Sequence, residues 1–136
     1  MTEAGLKVIS DAMYALGLNY GFAEYRVKRG EEVTYPYFVG EYEEYEPLNE
    51  DGMQETAFML TGFARAEEGG KGPWLELEQA KTKIKKYFPQ DVGKTVIAED
   101  GTAVAVFYSN SLIIPTGDEE LKKIQINLDI KEWSVN

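Results

Sequence analysis

The chain has 136 residues, 43% of them hydrophobic, with 24 acidic side chains against 14 basic ones, a formal net charge of −10, and neither histidine nor cysteine. Its length suits one domain that buries about two-thirds of its unfolded surface without help from a disulfide or a metal. The missing residue types exclude thiolate and histidine metal sites and Ser-His or Cys-His nucleophile pairs, and a body this acidic repels nucleic acid and anionic membranes at long range.

The first ten residues, MTEAGLKVIS, contain no basic region followed by an apolar stretch, so no signal peptide is expected. No apolar run approaches the length of a membrane-spanning helix, and the lack of cysteine fits a reducing compartment. The first element reads as a helix. Leu6, Ile9, Met13 and Leu16 recur at three- and four-residue spacing, and Gly17 is a plausible stop. After Asn19 the period changes to two. Tyr20, Phe22 and Tyr25 begin a strand, with Lys28 to Glu32 as its polar turn.

Tyr35 to Tyr45 is the next strand, with Tyr35, Tyr37 and Val39 on one face and Phe38 and Tyr42 on the other; Pro36 marks its start or a sheet edge. Glu46 to Gly52 is rich in turn formers. Gln54 to Phe63 carries apolar residues on both faces and reads as a central strand. The Gly- and Pro-rich stretch Ala64 to Pro73 reads as a mobile connection within one domain. A second helix runs from about Trp74 to Phe88, with Trp74, Leu77, Ala80, Ile84 and Phe88 on one stripe, lysines opposite, and Pro89 as its end.

The last third contains Thr95–Ala98 and Thr102–Tyr108 around Asp100-Gly101, a tight-hairpin signal. A short apolar piece, Leu112–Pro115, follows, and Asp118-Glu119-Glu120 is expected to cap a single helical turn. Ile124, Ile126, Leu128 and Ile130 then alternate strictly with Gln125, Asn127, Asp129 and Lys131, as in a half-buried strand. The expected fold class is α+β over residues 1–136: a mostly antiparallel sheet with both helices packed on one face, in the order α-β-β-β-α-β-β-β, one sheet face staying wet.

Charge is uneven. From Gly30 to Ala64 there are nine acids and no base, while Lys81, Lys83, Lys85 and Lys86 cluster elsewhere. Two such regions can meet across a head-to-tail subunit contact, or serve only as solvated faces. Glu41, Glu43, Glu44 and Glu46 contain the raw material for paired-carboxylate catalysis or a calcium site, and Glu41 and Glu43 share a strand face. No sugar-stacking cleft is evident and EF-hand spacing is absent, so a solvated face fits better. Tyr35, Tyr37, Tyr42 and Tyr45 suit a half-buried strand, with a few left for an interface. The Gly-rich run Glu68 to Pro73 lacks phosphate-loop spacing. Ser109, Ser111 and Thr116 have no histidine partner, and their spacing gives no support for a Ser-Lys pair. No catalytic, cofactor or metal residue is assigned.

The run YSNSLIIPTGDEELKKIQINLDIKEW from Tyr108 to Trp133 resembles the C-terminus of small proteins from long-tailed bacteriophages and prophages. YPYFVGEY from Tyr35 to Tyr42, followed by FMLTGF from Phe58 to Phe63, resembles their central hairpin. The family is the tail terminator, or tail completion, proteins of the head–tail junction, and the matching motifs are structural rather than catalytic. The resemblance implies a non-enzymatic subunit of a homo-oligomeric ring, typically hexameric. Such a ring caps the tail tube protein, stops its polymerisation and meets the head–tail connector protein. It places the chain in the virion, and in the bacterial host cytoplasm during assembly, with no membrane contact and no specific nucleic-acid binding although DNA passes through the ring. Glu41, Glu43, Glu44, Glu46, Glu50, Asp51, Gly69 and Gly70 are the expected interface or lumen residues. The alternatives are a small ligand-binding or carboxylate-based enzyme domain with a pocket between sheet and helices, and a soluble host-side adaptor of unknown partner.

Overall fold

A computed structural model of the chain describes residues 1–23, 34–45, 52–66 and 72–134. Helix α1 spans Glu3–Ala15. Thr2 caps it, its hydroxyl accepting a hydrogen bond from the Gly5 N–H at 3.1 Å. At the other end Gly17 takes φ 71°, its N–H reaches the Tyr14 carbonyl at 3.0 Å, and the Leu18 N–H reaches Met13 at 3.0 Å. These two bonds form the αL stop that the sequence predicts at Gly17. Ile9 and Met13 of the expected stripe are buried, and Leu6 and Leu16 pack partly buried beside them.

The strands are β1 (Asn19–Phe22), β2 (Tyr37–Tyr45), β3 (Met53–Arg65), β4 (Lys94–Ile97), β5 (Ala103–Ile114) and β6 (Leu121–Trp133), with α2 (Pro73–Tyr87) between β3 and β4. They form one sheet in the order β1-β2-β3-β6-β5-β4. The α+β class and the element order agree with the sequence reading, and β3 is internal as expected. β3 and β6 pair antiparallel without a break over thirteen positions, from Met53 opposite Trp133 to Arg65 opposite Leu121. Alternate residues of these strands, among them Phe58, Leu60, Ile126 and Leu128, enter one apolar layer with Ile9 and Met13 of α1 and Leu77 and Ile84 of α2. Both helices therefore lie on the same face of the sheet, with apolar side chains packed in the middle of the layer and a cleft of about 430 Å³ between α1 and β4 at its margin.

Several local expectations need correction. β1 runs parallel to β2, with Tyr20 opposite Phe38, so the two are not a hairpin. The turn assigned to Lys28–Glu32 lies outside the described residues, as do 24–27 and 33. β2 begins at Tyr37 rather than Tyr35, directly after a cis Tyr35–Pro36 bond. Leu112–Ile114 is not a separate segment. β5 continues through it past an irregularity between Tyr108 and Asn110, where one extra residue is absorbed as a bulge. Asp118–Glu120 makes a turn instead of a helical cap: the Leu121 N–H reaches the Asp118 carbonyl at 3.2 Å, and the Asp118 carboxylate accepts the Glu120 N–H at 3.0 Å. The Asp100-Gly101 hairpin is present, with Gly101 at φ 89° and the Ala98 N–H on the Thr102 carbonyl at 2.9 Å.

Two glycines separate the ways a methyl group can be refused. A Cβ on Gly62 would lie 2.5 Å from the fully buried Phe38 ring, whereas one on Gly17 would meet nothing within 4 Å and only oppose the positive φ. Gly17→Ala is expected to cost about 1 kcal/mol through backbone strain. Gly62→Ala is expected to cost about 1–3 kcal/mol through overpacking. Urea unfolding of the two variants against the parent chain checks the order.

Candidate interaction surface

The register places the predicted acidic strand. Glu41 lies opposite Met59, Glu43 opposite Ala57 and Tyr45 opposite Glu55, all on the sheet face away from the helices. Glu41 is half-buried there and Glu43 exposed, so the shared face read from the sequence is present. Glu44 points to the helix side, where its carboxylate pairs with the Met1 ammonium group. Tyr42, also on that side, stacks on Phe22 with ring centroids 5.7 Å apart, and Phe22 in turn lies 6.4 Å from Phe58. Glu46, Glu50, Asp51, Gly69 and Gly70 lie outside the described residues. Among the described residues no three Asp or Glu side chains gather as a metal site would require.

The face that neither helix covers is less wet than the alternation suggests. Val39 and Thr61 are buried on it, and Gln125, Asn127 and Lys131 are half-buried, because Phe63, Phe107 and Leu112 stand among them on neighbouring strands. A polar strip crosses its middle. Gln125 Nε2 donates to Asn127 Oδ1 at 2.9 Å, and Asn127 Nδ2 donates to Asn110 Oδ1 at 2.7 Å. Lysines sit over aromatic rings on either side of it, Lys123 at 5.4 Å from the Phe63 centroid and Lys131 at 5.6 Å from that of Phe107. Apolar area, amide donors and acceptors, and carboxylates on one flank are the components of a protein-contact surface.

The basic cluster is on α2. Lys81 pairs with Glu78 at 2.6 Å, and Lys85 lies 5.3 Å from the Tyr108 ring centroid, so this flank of the helix borders β5. Among the described residues no ion pair joins these lysines to Glu41, Glu43 or Glu44.

Glu132, the Tyr20 hydroxyl and Thr56, which is fully buried with its hydroxyl unpartnered, are polar groups that the sequence reading did not single out. Glu132 is 1% exposed and continues the core-facing series of Ile124 to Ile130, and a carboxylate at that place in a strict alternation was the available signal. It accepts the Thr2 N–H at 3.1 Å and the Thr2 hydroxyl, tying β6 to the cap of α1. Tyr20 carries a buried hydroxyl without a hydrogen-bond partner, seated over Gly40.

No protein-family model matches the sequence, and no curated protein matches it.

Replacing Glu132 by Ala is expected to destabilise the fold by about 2 kcal/mol, since it strands the half-buried Thr2 donors, against about 1 kcal/mol for Thr2→Ala. Chemical denaturation of the two single variants and the double variant measures the coupling. Burial pushes the Tyr20 phenol from 10.0 up to about 12. With the folded value raised, the unfolded chain ionises first. The contribution is whole below pH 10 and is lost as pH climbs toward 12. Tyr20→Phe is expected to flatten the fall in stability across that window and to add about 1 kcal/mol at neutral pH by removing an unsatisfied hydroxyl. Unfolding curves measured at a series of pH values check both effects.

Proposed function

We propose that this chain is a non-enzymatic structural subunit of a long-tailed phage or prophage, a tail terminator that forms a ring on the end of the tail tube and presents a docking face to the head connector. The observation that carries this reading is the arrangement of the uncovered sheet face. Half-buried amides and aromatics run across it, and Glu41 and Glu43 flank it on β2. That combination suits reversible protein contact. The middle of the layer between sheet and helices is filled by apolar side chains, and the cleft of about 430 Å³ between α1 and β4, lined by Lys7, Val8, Asp11, Val96 and Ile97, is where a ligand-binding reading would have to place its site. Glu132, the one buried carboxylate among the described residues, is engaged in holding α1.

Charge supports the reading as well. At a formal −10, a ring of such subunits offers passing DNA few cations with which to displace its counterions, so the duplex slides rather than sticks. The separation of acidic β2 from the lysines of α2 among the described residues suits a contact in which different patches meet on neighbouring subunits. Mixing the purified chain with polymerising tail tube protein and imaging by electron microscopy tests the proposal. Tubes that stop growing and carry extra density at one end are expected. Tubes of unaltered length with bare ends, at saturating chain, would overturn it.

A further inference from the structure

Among the described residues each outer edge of the sheet is only half covered. β1 pairs with Tyr37–Gly40 of β2 and ends there, so Glu41–Tyr45 has β3 on one side and no described strand on the other. β4 pairs only with Ala103–Val106 of β5. Past it, the Tyr108 N–H bonds the Phe88 carbonyl at 3.0 Å and the Ser109 carbonyl accepts from Gln90 at 3.1 Å. Asn110–Ile114 then has β6 on one side and no described strand on the other. The two open half-edges lie at opposite ends of the sheet. Asn110 is level with Asn127, Met59 and Glu41, from which the open part of β2 runs toward Tyr45. Ile114 is level with Lys123, Phe63 and Tyr37, where β1 already covers β2.

An unpaired edge is a template for another strand, and the chemistry of these two selects which strand. The β2 half-edge carries Glu41, Glu43 and Glu44 with Tyr42 and Tyr45 exposed. Two such edges brought together would set carboxylates opposite carboxylates. The β5 half-edge, Asn110-Ser111-Leu112-Ile113-Ile114, has no charge. Its Leu112 is 46% and its Ile113 59% exposed, and Lys85 stands beside it over Tyr108. Three antiparallel pairings separate β2 from β5, so the two strands run in opposite directions. Two copies in the same orientation therefore meet edge to edge as an antiparallel pair.

We propose that Glu41–Tyr45 of one copy pairs with Asn110–Ile114 of the next, extending the sheet from subunit to subunit head to tail. The occupant of each open half-edge is a second copy of this chain. Because the half-edges lie at opposite ends, neighbours are staggered along the strand axis, the displacement that a closed sheet requires. The contact is heterologous, giving a ring where the rotation closes and a filament where it does not. It names the contact for the ring proposed above and rests on that reading for closure, while the pairing itself rests on the two edges.

The cysteine-free chain makes the test direct. Single variants Glu43→Cys and Tyr45→Cys on β2, and Asn110→Cys and Leu112→Cys on β5, place thiols on exposed side chains of the uncovered face. Circular dichroism confirms that each folds. Full-length variants are mixed in pairs under mild oxidation and resolved on non-reducing gels, with the parent chain followed in parallel by sedimentation. Mixtures of a β2 variant with a β5 variant are expected to give several-fold more disulfide dimer than either variant alone. Leu112→Glu is expected to weaken self-association several-fold, with recovery on adding Glu43→Lys. Equal cross-linking in like and unlike mixtures, no cross-linking, or an unaltered association of Leu112→Glu overturns the pairing. If the parent chain still forms rings in those cases, or still caps tubes, the functional reading stands and only this contact falls. Cross-linked pairs from a chain that leaves tail tubes bare keep the contact and remove the function.

Discussion

The thirteen-position ladder between β3 and β6 is the constraint on which the rest depends. Outward from it the paired lengths shrink, to nine positions between β2 and β3 and eleven between β5 and β6, and then to four at each rim. The sheet is long in the middle and short at its sides. One face of the central ladder supplies an apolar floor, interrupted toward one end by Thr56 and Glu132, on which α1 and α2 bury Ile9, Met13, Leu77 and Ile84. Because the side-chain period along a strand is two, a single-residue slip in that ladder would turn the floor toward water, and the apolar alternation of β6 fixes the register against it.

Within this layer polar groups are treated in two ways. Glu132 is buried and satisfied, its oxygens taken up by Thr2, so its burial fixes where α1 begins. The Tyr20 hydroxyl is buried and unsatisfied over Gly40. The first joins two elements from opposite ends of the chain. The second leaves β1, a strand of four residues, held by one neighbour and by the packing of its aromatics.

Legibility in the sequence followed the range of the interactions. The stop at Gly17, the hairpin at Asp100-Gly101 and the face of Ile124–Ile130 are set by near neighbours, and they read correctly. The parallel partnership of β1 is set by a strand fifteen or more positions away, and nothing in Tyr20–Phe22 announces it. Ser109-Asn110-Ser111 has the composition of a turn, but pairing with β6 draws it into β5 at the expense of one bulged residue. Of the acidic positions, the common face of Glu41 and Glu43 was legible from alternation. Glu44 and its contact with the chain start were not. The half-edges left unpaired among the described residues were invisible for a further reason. They arise from mismatched strand lengths, a property of partners rather than of any one segment.

The tie between Thr2 and Glu132 spans 130 positions, and β3 waits for a partner that begins at Leu121. On the ribosome, β3 is made with β2 alone available beside it, and several seconds pass at ordinary rates before β6 follows. Throughout that interval a largely buried strand has a bare flank and both helices lack a complete floor. Growth temperature and elongation speed therefore act on the yield of folded chain more than on the stability of the finished one.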